Sequence, residues 1–233
     1  MLMIHHKVTQ GTDAWLNLRA GIPTASSFHR IITPKTLALS KQADDYMNWL
    51  LAEWIMGMPI EGPQTEWMER GQQMEDEAVK FYALERDAEP KGAGFFTTDD
   101  GMIGASPDRL VGEDGLLEIK CPAPQTHVAY MRGHGIDEKY VTQLQGQLWV
   151  SERAWVDIQS YAPGFPTVIV RVERDEQYIA ALSKQVRIFA DAMVQARVNL
   201  KQKFGDFKPV VLRRPDGLGI SEADIDAIIA GGQ

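Results

Sequence analysis

The stretch GASPDRLVGEDGLLEIKCP, residues 104–122, concentrates the groups in this chain best suited to chemistry. Asp108 follows a Ser-Pro pair, and Glu118 and Lys120 flank Ile119 on what reads as a later strand. Strand side chains alternate, so Glu118 and Lys120 share one face while Ile119 turns to the core. A tight hairpin through Gly112 to Gly115 brings Asp108 beside Glu118. Two carboxylates and one ammonium then converge. Close carboxylates do not both stay ionised without a counter-charge. Oxygen donors of this kind suit Mg²⁺ or Mn²⁺ rather than zinc, and Mg²⁺ leaves most of its positions to water and phosphate oxygens. The Ile119 backbone carbonyl is a third candidate ligand. Lys120 can orient an attacking water or neutralise charge developing on a phosphorane.

Two further segments carry candidate partners. Glu75 lies in GQQMEDEAVKFY, where Asp76 and Glu77 make the local pattern, taken alone, that of a solvated helix face. In KYVTQLQGQLWV, Gln143 and Gln147 share one helix face after Tyr140, and Gln145 points away. A buried glutamine needs partners, so such a side chain either satisfies backbone or reaches a phosphate.

The elements that must hold these groups follow from periodicity and breakers. A short helix is predicted over 13–20, closed by Gly21 and Pro23. A second runs from an N-cap at Thr24 to about Ile32, before Pro34. Helices follow over 43–56 and 65–86, the latter with Met74, Ala78, Phe81 and Leu84 as its apolar positions. Short apolar runs broken by Asp-Asp-Gly and Gly-Glu-Asp-Gly then predict an antiparallel meander across 95–119. Helices at 125–132 and 138–150, strands at 153–161 and 167–173, and a helix over 176–204 complete the pattern. The order predicts an α/β fold, a mixed central sheet flanked by helices, as a single domain over 1–204. Residues 205–233 read as a C-terminal extension, a basic stretch with Lys208, Arg213 and Arg214 followed by a short helical segment.

Composition bounds the rest. The 233 residues are 44% hydrophobic and 24% charged, which excludes a disordered, collagen-like or disulfide-stapled chain. A net charge of -8 is wrong for a general nucleic-acid coat, so any DNA contact rests on local patches. Cys121, the single cysteine, has no partner within the chain for a disulfide. No apolar run is long enough to span a bilayer, so no membrane contact is expected. The N-terminus MLMIHHKVTQ lacks a signal-peptide pattern, and the expected localisation is cytoplasmic.

The order Glu75, Asp108, Glu118-Ile119-Lys120, Tyr140-x-x-Gln143 resembles the PD-(D/E)xK nuclease superfamily. More closely, the chain is similar to the phage lambda exonuclease group, the YqaJ-like viral recombinases, over roughly residues 10–203. The marks are DAWLNLRAGIPTAS, GQQMEDEA, SPD, LEIKCP, YVTQLQ and LWV, in that order. The resemblance implies a restriction-endonuclease-like core and processive 5′→3′ digestion of one strand of linear double-stranded DNA. A 3′ overhang and mononucleotides are the implied products.

By the same resemblance Asp108, Glu118 and the Ile119 carbonyl hold the metal, and Lys120 is the catalytic lysine. Glu75 and Gln143 complete the site, which takes two Mg²⁺ ions with Mn²⁺ as substitute. Arg19, Ser26 and Ser106 match positions that hold the 5′-terminal phosphate, and Met68 or Trp67 is the candidate wedge that parts the terminal base pair. The implied assembly is a homotrimer ring around the duplex, with Arg30, Lys35, Lys41, Arg132 and Lys139 as candidate channel cations. A single-strand annealing protein is the implied partner. The alternatives are a structure- or site-specific endonuclease of the same superfamily and a non-catalytic DNA-binding module.

Overall fold

The protein is described by a computed structural model that covers residues 3–60, 66–133 and 137–207. The turn at 112–115 sets the geometry of the middle of the chain. Gly112 takes a φ of 58°, a left-handed value that suits glycine. Strand β5 (Arg109–Val111) therefore returns antiparallel as β6 (Gly115–Lys120), with Arg109 opposite Leu117 and Val111 opposite Gly115. β6 then pairs in parallel with β7 (Trp155–Ser160), and β7 pairs antiparallel with β8 (Val168–Glu173). With β2 (Lys91–Gly92) added to β5, the sheet has the order β2-β5-β6-β7-β8.

A parallel neighbour requires a crossover. Between β6 and β7 it is made by α4 (Pro124–Met131) and α5 (Glu138–Ser151). α6 (Glu176–Phe204) starts from Asp175, whose carboxylate accepts the Tyr178 N–H at 2.9 Å, and buries Ile179, Leu182, Val186, Phe189 and Met193. These side chains join α5 and α2 (Ala43–Met56) in the main core. On the other face of β6, Leu117 and Ile119 meet Ala78 and Tyr82 of α3 (Glu66–Arg86) in a smaller core. Both faces of β6 are thus covered, and its reactive end emerges between two layers. The layout is a mixed sheet flanked by helices, the α/β class that the sequence predicts.

Three features differ from the sequence reading. First, a separate three-stranded sheet joins β1 (Met3–His6), β3 (Phe95–Thr98) and β4 (Gly104–Ala105), in the order β1-β3-β4. The four-residue MIHH has no strand signature of its own, and Met3 finds its partner only at Thr98. Second, the segment after Thr24 is a 3₁₀ helix, Ala25–Arg30, rather than an α-helix. The Thr24 hydroxyl lies 3.3 Å from that of Ser26 and caps no backbone N–H. Three residues per turn align Ala25 and Phe28 along one edge, where both are buried against α5. Third, α3 turns Ala78 and Tyr82 inward and leaves Phe81 at 45% and Leu84 at 83% exposed. Ala78 has little bulk to hold the helix off the sheet, and the Tyr82 hydroxyl donates to the buried Asp157 at 2.8 Å. Among the described residues no helix is long and apolar enough to cross a membrane.

Candidate active site

The β5–β6 hairpin delivers the acids. Asp108, immediately before β5, accepts the Ile119 backbone N–H at 2.6 Å. On β6, Lys120 Nζ lies 2.6 Å from Glu118 Oε1, as expected for side chains two apart on one strand face. Glu118 is buried and fully engaged by α5. Gln143 Nε2 donates to its Oε1 at 2.6 Å, and Gln147 Nε2 donates to its Oε2 at 2.7 Å. Lys120 also sits 4.9 Å from the centre of the Tyr140 ring, a cation–π distance. Six side chains, from β6, from α5 and from the residue that leads into β5, therefore meet at one end of β6. Glu75, on α3, pairs with Arg109 at 2.7 Å and lines the same cleft as Asp108.

The electrostatics of this cluster are strained in one direction. Burial and the neighbouring Glu118 hold the Asp108 carboxyl well above the usual carboxylate range, against the opposing pull of Lys120 and the Ile119 N–H. Burial works to depress Lys120, but Glu118 and Asp108 outweigh it and raise the ammonium above its ordinary value. Without a cation at these carboxylates the two acids thus favour the ammonium form of Lys120. Crowded carboxylate oxygens with one ammonium are a donor set that a hard divalent cation fits, since it removes the like-charge penalty at Asp108. No cluster of three or more His, Cys, Asp or Glu that could hold a metal exists among the described residues. A cation here would complete its shell with backbone, water and substrate oxygens.

The cleft beside Asp108 and Glu75 has a volume of about 800 Å³ and is walled by Lys7, Lys91 and Trp15 among others. Gly11 and Trp15 separate it from a second cleft of about 460 Å³ that holds Arg19, Ser27, Arg30, Tyr46 and Glu53. α1 (Asp13–Arg19) supplies both Trp15 and Arg19, and the Arg19 guanidinium stacks on the Trp15 ring at 4.3 Å. Burial pushes Arg19 down, with Glu53 and Tyr46 opposing. Arg30 stacks on Tyr46 at 4.4 Å in the same cleft.

The three candidate phosphate ligands are not gathered as a set. Ser26 is exposed, and Ser27 rather than Ser26 lines the cleft. The Ser106 hydroxyl accepts from Trp15 Nε1 and Gln10 Nε2, each at 2.9 Å, and donates to the Gly94 carbonyl at 2.8 Å. It is saturated by protein groups and locks the indole that divides the two clefts. Trp67 and Met68, the wedge candidates, and Lys139 lie outside the described side chains.

The sequence reading placed Gln147 on the helix face of Gln143 but gave it no role at Glu118, and it missed Glu53. Glu53 carried no signal. It is buried at the end of α2, where it accepts from Gly21 N, Trp49 Nε1 and Ile60 N at 2.9, 2.8 and 3.1 Å.

A mixed sheet that presents an Asp before one strand and Glu-x-Lys at the end of the next is the restriction-endonuclease-like layout. The chain belongs to the YqaJ-like viral recombinase domain family, whose model matches residues 14–154. LHK-Exo, solved in complex with dAMP, is 31% identical, with a TM-score of 0.74, over 82% of this chain and 97% of that one. A further structure of LHK-Exo, an alkaline exonuclease from Laribacter hongkongensis, aligns at 29% identity over the same shares, with a TM-score of 0.74. A phage-related exonuclease from Haemophilus somnus 129PT shares the fold at 17% identity and a TM-score of 0.61, over 79% of this chain and 98% of that one. Comparison with curated proteins gives no match.

Proposed function

We propose that this protein is a Mg²⁺-dependent exonuclease that digests one strand of linear double-stranded DNA in the 5′→3′ direction from a 5′-phosphorylated end. It works processively, releases mononucleotides and leaves a 3′ overhang for strand annealing. The observation that carries this reading is the single cluster of Asp108, Glu118, Lys120 and Gln143 in a chain of this family. The relatives described as exonucleases support the same chemistry.

Asp108 and Glu118, with the Ile119 carbonyl, would hold the ions, two per site. When bound, such cations polarise the phosphodiester, lower the pKa of water and stabilise the leaving 3′-oxygen. The chain's own groups do the rest. Lys120 holds the attacking water by hydrogen bonding and offsets the negative charge gathering on phosphorus. The water oxygen bonds to phosphorus and gives up a proton to solvent, the 3′-oxygen departs with the P–O electron pair, and solvent returns a proton to that oxygen. Gln143 keeps Glu118 oriented, and Glu75 with Arg109 forms the cleft wall. Arg19 offers a guanidinium stacked on Trp15 to the 5′-terminal phosphate; Ser26 is assigned as a further phosphate ligand from its exposed position, and Ser106 acts through the Trp15 indole that it holds. In this reading a homotrimer ring supplies processivity by topology, and a single-strand annealing protein takes up the overhang.

The test uses a blunt linear duplex labelled on one strand, bearing either a 5′-phosphate or a 5′-hydroxyl, with Mg²⁺ or with EDTA. Mononucleotide release that needs Mg²⁺, runs from the 5′ end and prefers 5′-phosphate is expected. Lys120→Ala should lower the rate at least about 100-fold while DNA binding persists. Near-normal turnover by Lys120→Ala sinks the role given to the lysine, and cutting of closed circles moves the assignment to an endonuclease.

A further inference from the structure

Glu118 is held by more than the groups its own strand provides. Lys120 and Gln143 share Oε1, at 2.6 Å each. Oε2 is met from the other side by Gln147 Nε2 at 2.7 Å. Gln147 lies one helical turn beyond Gln143 on α5, and its side chain is 1% exposed. Only one orientation of its amide is tenable, because the other would set two acceptor oxygens against each other. That orientation leaves the Gln147 Oε1 atom buried with no hydrogen-bond partner. A buried polar atom without a partner is unfavourable, and a leucine of similar volume would avoid it. The amide therefore does something at Glu118 that an apolar side chain in the same space would not.

We propose that Gln147 is a positioning residue for the metal carboxylate. It pins Oε2 of Glu118, so that α5 holds both carboxylate oxygens, Gln143 on Oε1 and Gln147 on Oε2, while Lys120 of β6 adds its ammonium to Oε1. A carboxylate anchored at one oxygen alone rotates about its last bond, and its cation would find it in several orientations. Anchored at both, it is held in one orientation at the end of the sheet that also carries Asp108. Groups that orient a ligand from behind typically change metal affinity or activity 10- to 100-fold when removed. Gln147 touches no substrate in this assignment and acts through Glu118. The inference rests on the proposed metal-dependent reaction, and its test separates the two.

Mn²⁺ is titrated calorimetrically into metal-free wild-type protein, Gln147→Leu and Gln147→Asn, the last keeping the amide but one methylene short. Both variants should bind Mn²⁺ about 10- to 100-fold more weakly than wild type. The Mg²⁺ concentration for half-maximal nucleotide release should rise in step. Duplex affinity without metal, and KM for DNA at saturating Mg²⁺, should stay at wild-type values. A merely structural residue would lower the melting temperature and leave the metal constant of the folded protein alone. Wild-type Mn²⁺ affinity in either folded variant overturns the inference. A wild-type protein that neither binds Mn²⁺ nor releases nucleotides with metal overturns the functional reading instead. Should Gln147→Leu fail to fold, Gln147→Asn decides the matter alone.

Discussion

The surroundings of Asp108 disfavour its charged form. Burial is the largest cause and Glu118 the next, with Lys120 and the Ile119 N–H acting the other way. An acid whose folded-state pKa is raised binds more protons folded than unfolded, so stability falls as pH rises through that window. The penalty is absent below the ordinary carboxylate value of about 4 and grows above it. Asp108→Asn removes the charge, and its side-chain oxygen can still accept from Ile119. We expect the metal-free variant to melt about 2–6 °C above wild type at pH 8, with the gap closing toward pH 4. Mg²⁺ should raise the melting temperature of the wild type and leave the variant unmoved. Calorimetry at the two pH values checks this, and equal melting temperatures at pH 8 would refute the electrostatic account. Cys121, next along from the lysine, is pushed up to about 11 by burial and by Glu75 and Asp108, so its thiol stays protonated at neutral pH.

At the scale of elements, the site depends on how closely α5 approaches the 3₁₀ helix. Gly146 stands between Gln145 and Gln147, and a Cβ there would lie 2.6 Å from Phe28 Cδ2 and 3.3 Å from Ala25 Cβ. Phe28 is fully buried and packs beside Trp149, so its ring has nowhere to move. Gly146→Ala gains about 1 kcal/mol of helix propensity. Overpacking of a full core costs about 1–3 kcal/mol. The balance is about 0–2 kcal/mol of destabilisation, and a Cβ 2.6 Å from a ring with nowhere to move puts it toward the upper end, read as a melting temperature about 4–8 °C lower. A variant as stable as wild type would mean that the helices can part without loss. The neighbouring Gln145 serves this junction too: it bonds the Glu173 carbonyl at 2.8 Å and accepts the Asp175 N–H at 3.0 Å, tying α5 to the start of α6.

For the whole molecule, the question is how a chain of net charge -8 handles a polyanion. The cations are local: Lys7, Lys91 and Arg109 at one cleft, Arg19 and Arg30 at the other. In the nuclease reading such patches would guide a strand past the acids, without the tight grip of a basic coat. A ring would retain the duplex without strong affinity. The ring reading predicts a solution mass of about three times 26.1 kDa by size-exclusion with light scattering. A monomer at micromolar concentration would defeat it.

Much of this was legible in the chain itself, for a local reason. Asp108, Glu118 and Lys120 converge because strand alternation and a four-residue turn are encoded within about a dozen residues. The α6 boundaries, 176 to 204, follow from an Asp cap and a closing glycine. Tertiary structure decided what depends on distant partners. Residues 3–6 become a strand only against 95–98. α3 turns Ala78 and Tyr82 inward because the sheet it meets accepts those side chains and not Phe81 or Leu84. Glu118 gains its two amides from a helix 25 to 29 residues away. Spacing along a strand carries no information about which helix will cover it, because that choice belongs to the packing of the whole core.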